Sequence, residues 1–195
     1  MRIEQLQFFQ KKGDFYSPEF EDKKNTMIFS KIGLSVQDAF DKFSQIDITP
    51  FDSTTRANML NNLVVNRVNH NCDCDKFRFY DSLTNTRRSF GILDDKYIFL
   101  FKKSPISNIK TNQDDLIKNQ ELDMHVIFVV YKIDEFWSSI TGLEFQYYSS
   151  ANNLIYSYDI SDYLNSGESR MLFPTNDPTQ SIKIKKEKLP KRKAE

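Results

Sequence analysis

The stretch Lys96–Gln120, KYIFLFKKSPISNIKTNQDDLIKNQ, decides the reading of the fold. Over Lys96–Lys102 the residues alternate as a strand, with Tyr97, Phe99 and Phe101 on one side and Ile98 and Leu100 on the other. Both sides are apolar, which places this strand inside a sheet that is covered on both faces. It delivers Lys102 and Lys103 into a polar loop that carries Asn108, Lys110, Thr111, Asn112 and Gln113. Thr111 or Asn112 then caps a helix to about Gln120, with Asp114 and Asp115 in the first turn, where the helix dipole favours acids. A strand end, a basic pair and a helix N-terminus in succession make a candidate anion-binding corner.

Upstream, Asp94-Asp95 reads as a hairpin turn between Arg88–Leu93 and the central strand, and Phe77–Asp81 alternates as one strand more. Two helices precede them. The first covers about Ser35–Ile46, with Ser35 as N-cap, Asp38 three residues on, and Val36, Ala39, Phe40 and Phe43 at helical spacing. The second starts at Asp52, Ser53 or Thr54, runs to about His70, and buries Ala57, Leu60, Leu63, Val64 and Val68. Arg56 stands in its first turn against the dipole's preference, which points to a partner for it. Residues 1–33 read as an irregular segment, with Thr26–Ser30 as a short strand. Downstream, Met124–Lys132, Trp137–Tyr148 and Asn153–Tyr158 form a second meander, with a turn at Asp134-Glu135, and a short strand is expected at Arg170–Phe173. The order indicates one α+β domain over residues 1–180, a mostly antiparallel sheet with helices packed on one face, followed by a basic C-terminal tail.

Composition supports this. In 195 residues, 39% apolar with 17 Phe and 9 Tyr, there is material for a core, while 5 Gly leave little for glycine-rich phosphate loops. No run approaches the roughly 18 apolar residues of a membrane span, and the N-terminus lacks the apolar centre of a secretory signal, so a cytoplasmic protein without membrane partner is expected. The formal net charge of zero hides an asymmetry. Residues 181–195 hold seven cations (Lys183, Lys185, Lys186, Lys188, Lys191, Arg192, Lys193) and two acids, a net of +5, leaving −5 on the rest of a chain with 27 of each. Such a tail folds back on the acidic body, stays solvated, or meets a nucleic acid or an acidic partner. Cys72 and Cys74, one residue apart, are poorly placed for a mutual disulfide and fit a reducing compartment.

Four chemistries come into question. The loop His70–Asp75, HNCDCD, offers zinc-type donors but no second pair, so a polar helix-to-strand turn explains it without a metal. The acid pairs Asp94-Asp95, Asp114-Asp115 and Asp134-Glu135 all fall at turns or at a helix start. A nuclease of the restriction-endonuclease type would use Asp81 or Asp95 with Lys102, but Leu100 and Phe101 stand where its second acid is needed. The basic corner, with Tyr131, Trp137, Tyr147 and Tyr148 as exposed rings able to stack bases, is the remaining candidate. No cofactor is called for.

Arg56, then Phe99–Lys103 (FLFKK), Ser107-Asn108, Thr111–Gln113, Gln120 and Tyr131 follow in an order that resembles an uncharacterised bacterial family. Its members carry R-F-K-K, S-N, T-x-Q, a late Gln and a G-Y pair, and the similarity spans about Thr54–Gly142. Leu100 stands here for the family's Arg and Val130 for its Gly. The resemblance implies a setting in small gene pairs of the toxin–antitoxin or phage-defence type, and no catalytic residue. The expected function is therefore an accessory or regulatory component that binds a protein partner or nucleic acid through Lys102–Gln113. A metal-dependent nuclease-like enzyme and a pure protein-interaction subunit are the alternatives.

Overall fold

In the computed structural model the described residues are 15–80, 89–106, 109, 124–150 and 153–164. Three helices come first: α1 (Ser17–Phe20), α2 (Thr26–Phe43) and α3 (Ser53–Cys72). The strands β1 (Phe77–Tyr80), β2 (Phe90–Leu93), β3 (Tyr97–Lys103), β4 (His125–Ile133), β5 (Ile140–Ser150) and β6 (Asn153–Asp159) follow. They form one six-stranded sheet whose spatial order is the order of the sequence. Every neighbouring pair is antiparallel except β3 and β4, which run parallel with Tyr97 opposite His125 and Lys103 opposite Tyr131. The α+β class and the mostly antiparallel sheet are those read from the sequence, and no helix among the described residues is long and apolar enough to cross a membrane.

The sheet is apolar on both faces in its middle. On the helix side, Phe77, Phe99, Phe101, Ile127, Val129 and Phe145 join the buried faces of α2 and α3. On the other side, Phe90, Ile92, Ile98, Leu100, Val126, Phe128 and Val130 form a second buried cluster. A parallel neighbour requires a crossover. Here the chain leaves β3 past Ile106 and Ile109 and returns at Met124, all three packed on the second cluster, whose side of the sheet is called the crossover side below.

Three sequence expectations are corrected: the short strand, the irregular segment and the Ser35 N-cap. Thr26–Ser30 is no strand but the opening of α2, and the described part of residues 1–33 is largely helical. Ile28, Phe29, Ile32, Val36, Ala39, Phe40 and Phe43 give α2 one continuous buried stripe. Ser35 accordingly lies inside the helix, its hydroxyl donating to the Lys31 carbonyl at 2.7 Å, and Asp38 pairs with Arg67 of α3 at 3.0 Å. Gly33 stands at a close approach: a Cβ there would come within 2.6 Å of Tyr163 Cβ in the turn Ser161–Tyr163. By contrast α3 begins where expected, with the Asp52 side chain accepting from Thr55 N–H at 2.9 Å. The Asp94-Asp95 turn is also as read, both residues having positive φ, 51° and 54°, as the tightest hairpins require.

A candidate binding rim at the carboxyl ends of the parallel pair

Because β3 and β4 run the same way, their last residues lie side by side. Ser104 N–H donates to the Tyr131 carbonyl at 2.9 Å, and the Tyr131 hydroxyl reaches Asn61 Oδ1 of α3 at 3.2 Å. Tyr131 is fully buried and Tyr147 nearly so, while Trp137 and Tyr148 are half-buried. The expectation of four exposed stacking rings is therefore corrected. Strand parity explains it, since Tyr131 shares its face with Ile127 and Val129. Burial also raises the Tyr131 hydroxyl, which stays a proton donor.

Parity separates the basic pair as well. Successive strand residues point to opposite faces, so Lys103 goes to the helix side and Lys102 to the crossover side. Lys103 Nζ donates to the Ser104 carbonyl at 3.0 Å and lies 5.0 Å from the centre of the Trp137 ring. The two lysines end β3 together but do not converge on one point. Of the other expected site residues, Asn108, Lys110, Thr111, Gln113 and Gln120 lie outside the described residues, as do the helix to Gln120, the strand at Arg170–Phe173 and the tail.

Trp137 belongs to the β4–β5 hairpin, and it does not start β5 as the sequence reading had it. Its φ of 60° is rare for a bulky side chain. The Asp134 carboxylate holds the turn in place, accepting from Ser138 N–H at 2.6 Å, Ser139 N–H at 3.3 Å and the Ser138 hydroxyl. These bonds, led by the Ser138 hydroxyl, keep the Asp134 carboxyl below its ordinary value. The indole lies 5.7 Å from the ring of Phe43, at the end of α2. Next to it Phe136 projects with 77% of its surface exposed.

The loop between α2 and α3 exposes Ile46 (38%) and Phe51 (36%). Arg56 has the partner that its position calls for: Nε donates to the Phe51 carbonyl at 2.8 Å, pinning this loop to α3. Asp47 and Asp52 are likewise spent on local bonds to Thr49 and Thr55, which lower both carboxyls. The rim is thus built on Lys103, Trp137 and the exposed Phe136, and its aspartate, Asp134, is engaged in shaping the backbone. Nothing in the sequence's spacing marked Phe136, although a Phe-Trp pair following turn acids is a usable signal.

On the crossover side, Lys132 pairs with Glu144, Gln146 Nε2 donates to Glu144 Oε2 at 2.9 Å, and the Tyr148 hydroxyl donates to Gln146 Oε1 at 2.7 Å. Burial works to raise the Glu144 carboxyl, but the bonds from Lys132, Gln146 and Ser157 outweigh it and leave it lowered.

The nuclease geometry is not assembled by the described residues. Asp95 lies at the start of β3 and Lys102 near its end, roughly 20 Å apart at the rise of a strand, and Asp95 pairs with Arg78. Asp81 lies outside the described residues. In the HNCDCD segment, α3 carries Cys72 into the core, where burial pushes its thiol up to about 12 against a hydrogen bond with Ser35, while His70 faces solvent. Among the described residues no three His, Cys, Asp or Glu side chains gather as metal ligands. A scan against family models and searches of curated proteins and solved structures find no match to the chain.

Proposed function

We propose that this protein is a binding subunit, an accessory or regulatory component of a bacterial or phage conflict system, which engages a protein partner through the rim at the carboxyl ends of β3 and β4. One observation carries the reading: Phe136 is 77% exposed on a hairpin that Asp134 holds in a fixed form. An aromatic ring presented on a stiff turn loses little freedom when it is buried, and rings of this kind anchor interfaces. Lys103 borders this hairpin, 5.0 Å from the centre of the neighbouring Trp137 ring. The matching partner surface is an apolar pocket flanked by carboxylates. The conflict-system setting rests on the family resemblance.

A second reading has its own support. Lys102 and Lys103 end β3 where Lys110 follows in the chain, and Lys183, Lys185, Lys186, Lys188, Lys191, Arg192 and Lys193 form a basic tail, a set suited to nucleic-acid phosphates. One experiment addresses both. The tagged full chain is purified from its host with and without nuclease, at two salt concentrations, beside Phe136→Ser. A single stoichiometric protein, retained after nuclease and lost in Phe136→Ser while circular dichroism is unchanged, is the expected result. Recovery of nucleic acid that falls steeply with salt, with Phe136→Ser behaving like the parent, overturns the first reading in favour of the second.

A further inference from the structure

β6 ends the sheet, and its outer edge carries no seventh strand among the described residues. Edge strands are ordinarily guarded by lysine, proline or inward charges. Asn153–Asp159, NLIYSYD, has neither lysine, arginine nor proline, and its one charge is the last residue. Leu154 and Ile155 are 45% and 56% exposed. On the helix side β6 shows Tyr156 and Tyr158, which pack on Phe20 and Phe29. On the crossover side it shows Ser157, bonded to Glu144 at 3.2 Å, and Asp159, whose carboxyl is lowered by bonds from Ser161 and by the nearby Lys132. The edge therefore carries aromatic rings along one face, with Glu21 accepting from the Tyr156 hydroxyl at 2.8 Å, and a single acid of its own, Asp159, on the other.

The chain has a segment with the complementary pattern. Ser181–Lys186, SIKIKK, alternates Ile182 and Ile184 with Lys183 and Lys185, between Pro178 and Pro190. As a strand it has one aliphatic face and one cationic face. We infer that this segment is the occupant of the β6 edge, added as a seventh strand with Ile182 and Ile184 beside Tyr156 and Tyr158, and Lys183 and Lys185 beside Ser157 and Asp159. Charge favours the pairing, since the tail's +5 meets a body of −5. Length permits it: Ser181 lies 17 residues beyond Leu164, a reach of roughly 55 Å at about 3.3 Å per residue, more than twice the length of β6. Main-chain bonds to the edge give such strand addition its affinity, and alternate side chains give its register. A tail held there is withdrawn from nucleic acid, so edge and phosphates compete for the same lysines.

Hydrogen exchange on the purified full chain tests this without any partner, and so independently of the rim. The parent is compared with the double substitution Ile182→Asp, Ile184→Asp, each at two protein concentrations. Peptides covering residues 153–159 are expected to exchange at least tenfold faster in the variant, while those of β3 and β4 stay unchanged, and the parent's protection does not depend on concentration. Equal exchange in parent and variant overturns the proposal. Protection that rises with concentration and persists in the variant also overturns it, and assigns the edge to a second copy of the chain.

Discussion

Trp137 is the chain's one tryptophan, and it stands in a left-handed conformation held by Asp134. Its fluorescence therefore reports on the hairpin. Hydrogen bonds hold the Asp134 carboxyl below its ordinary value of 3.8. A depressed folded value means that the stabilisation is complete above that pH and is lost as the pH falls through the lower, folded value. On acidification a red shift of emission should begin only below pH 3.8, and Asp134→Asn should show the shifted emission already at pH 7. An acid-limb shift that survives unchanged in Asp134→Asn would assign it to another group. Single residues were also where sequence reading was least secure. Tyr131 carries the parity of a core position in an apolar strand, so its burial was legible and only its polar tip argued for solvent. Lys102 and Lys103 look like one basic site because they are adjacent, but adjacency in a strand is what sends them to opposite faces.

Elements were legible wherever a cap or a turn residue has a local reason to be there. Asp52 starts α3 and Asp94-Asp95 turns β2 into β3 because the short-range chemistry alone suffices. The start of α2 was not legible: the helix runs through Gly33, which admits Tyr163 from a turn distant in sequence. No local rule contains that contact. Gly91 is the strand counterpart. A Cβ there would lie 2.2 Å from Cζ of Phe77, whose ring is fully buried against β2. Gly91→Ala should destabilise the fold by about 2 kcal/mol through overpacking. Urea unfolding should show a lower midpoint with an unchanged slope. A variant as stable as the parent would mean that the Phe77 ring yields freely, against its burial.

At the scale of the whole molecule, the α+β class was legible because helical and alternating segments succeed each other in blocks. The candidate site was legible only in outline. β3 led to Lys103, but its neighbours there, Trp137 and the Phe43 end of α2, stand on a hairpin and a helix terminus that only the fold brings together. The matching of spatial order to chain order has a practical outcome. Each half of the sheet is one uninterrupted piece of chain, and the two pieces meet where β3 lies along β4 and where α2 and α3 pack across the sheet, as at Phe43–Trp137 and Asn61–Tyr131, with the crossover as their covalent tie. That tie is dispensable in principle, since the interface is a full strand pair with a buried apolar cluster on either side. Residues 1–110 and 111–195, produced as separate polypeptides in one cell with a tag on the first, should purify together and reproduce the circular dichroism of the intact chain. The central seam would then serve as a split point, at which two separate pieces report their own reunion.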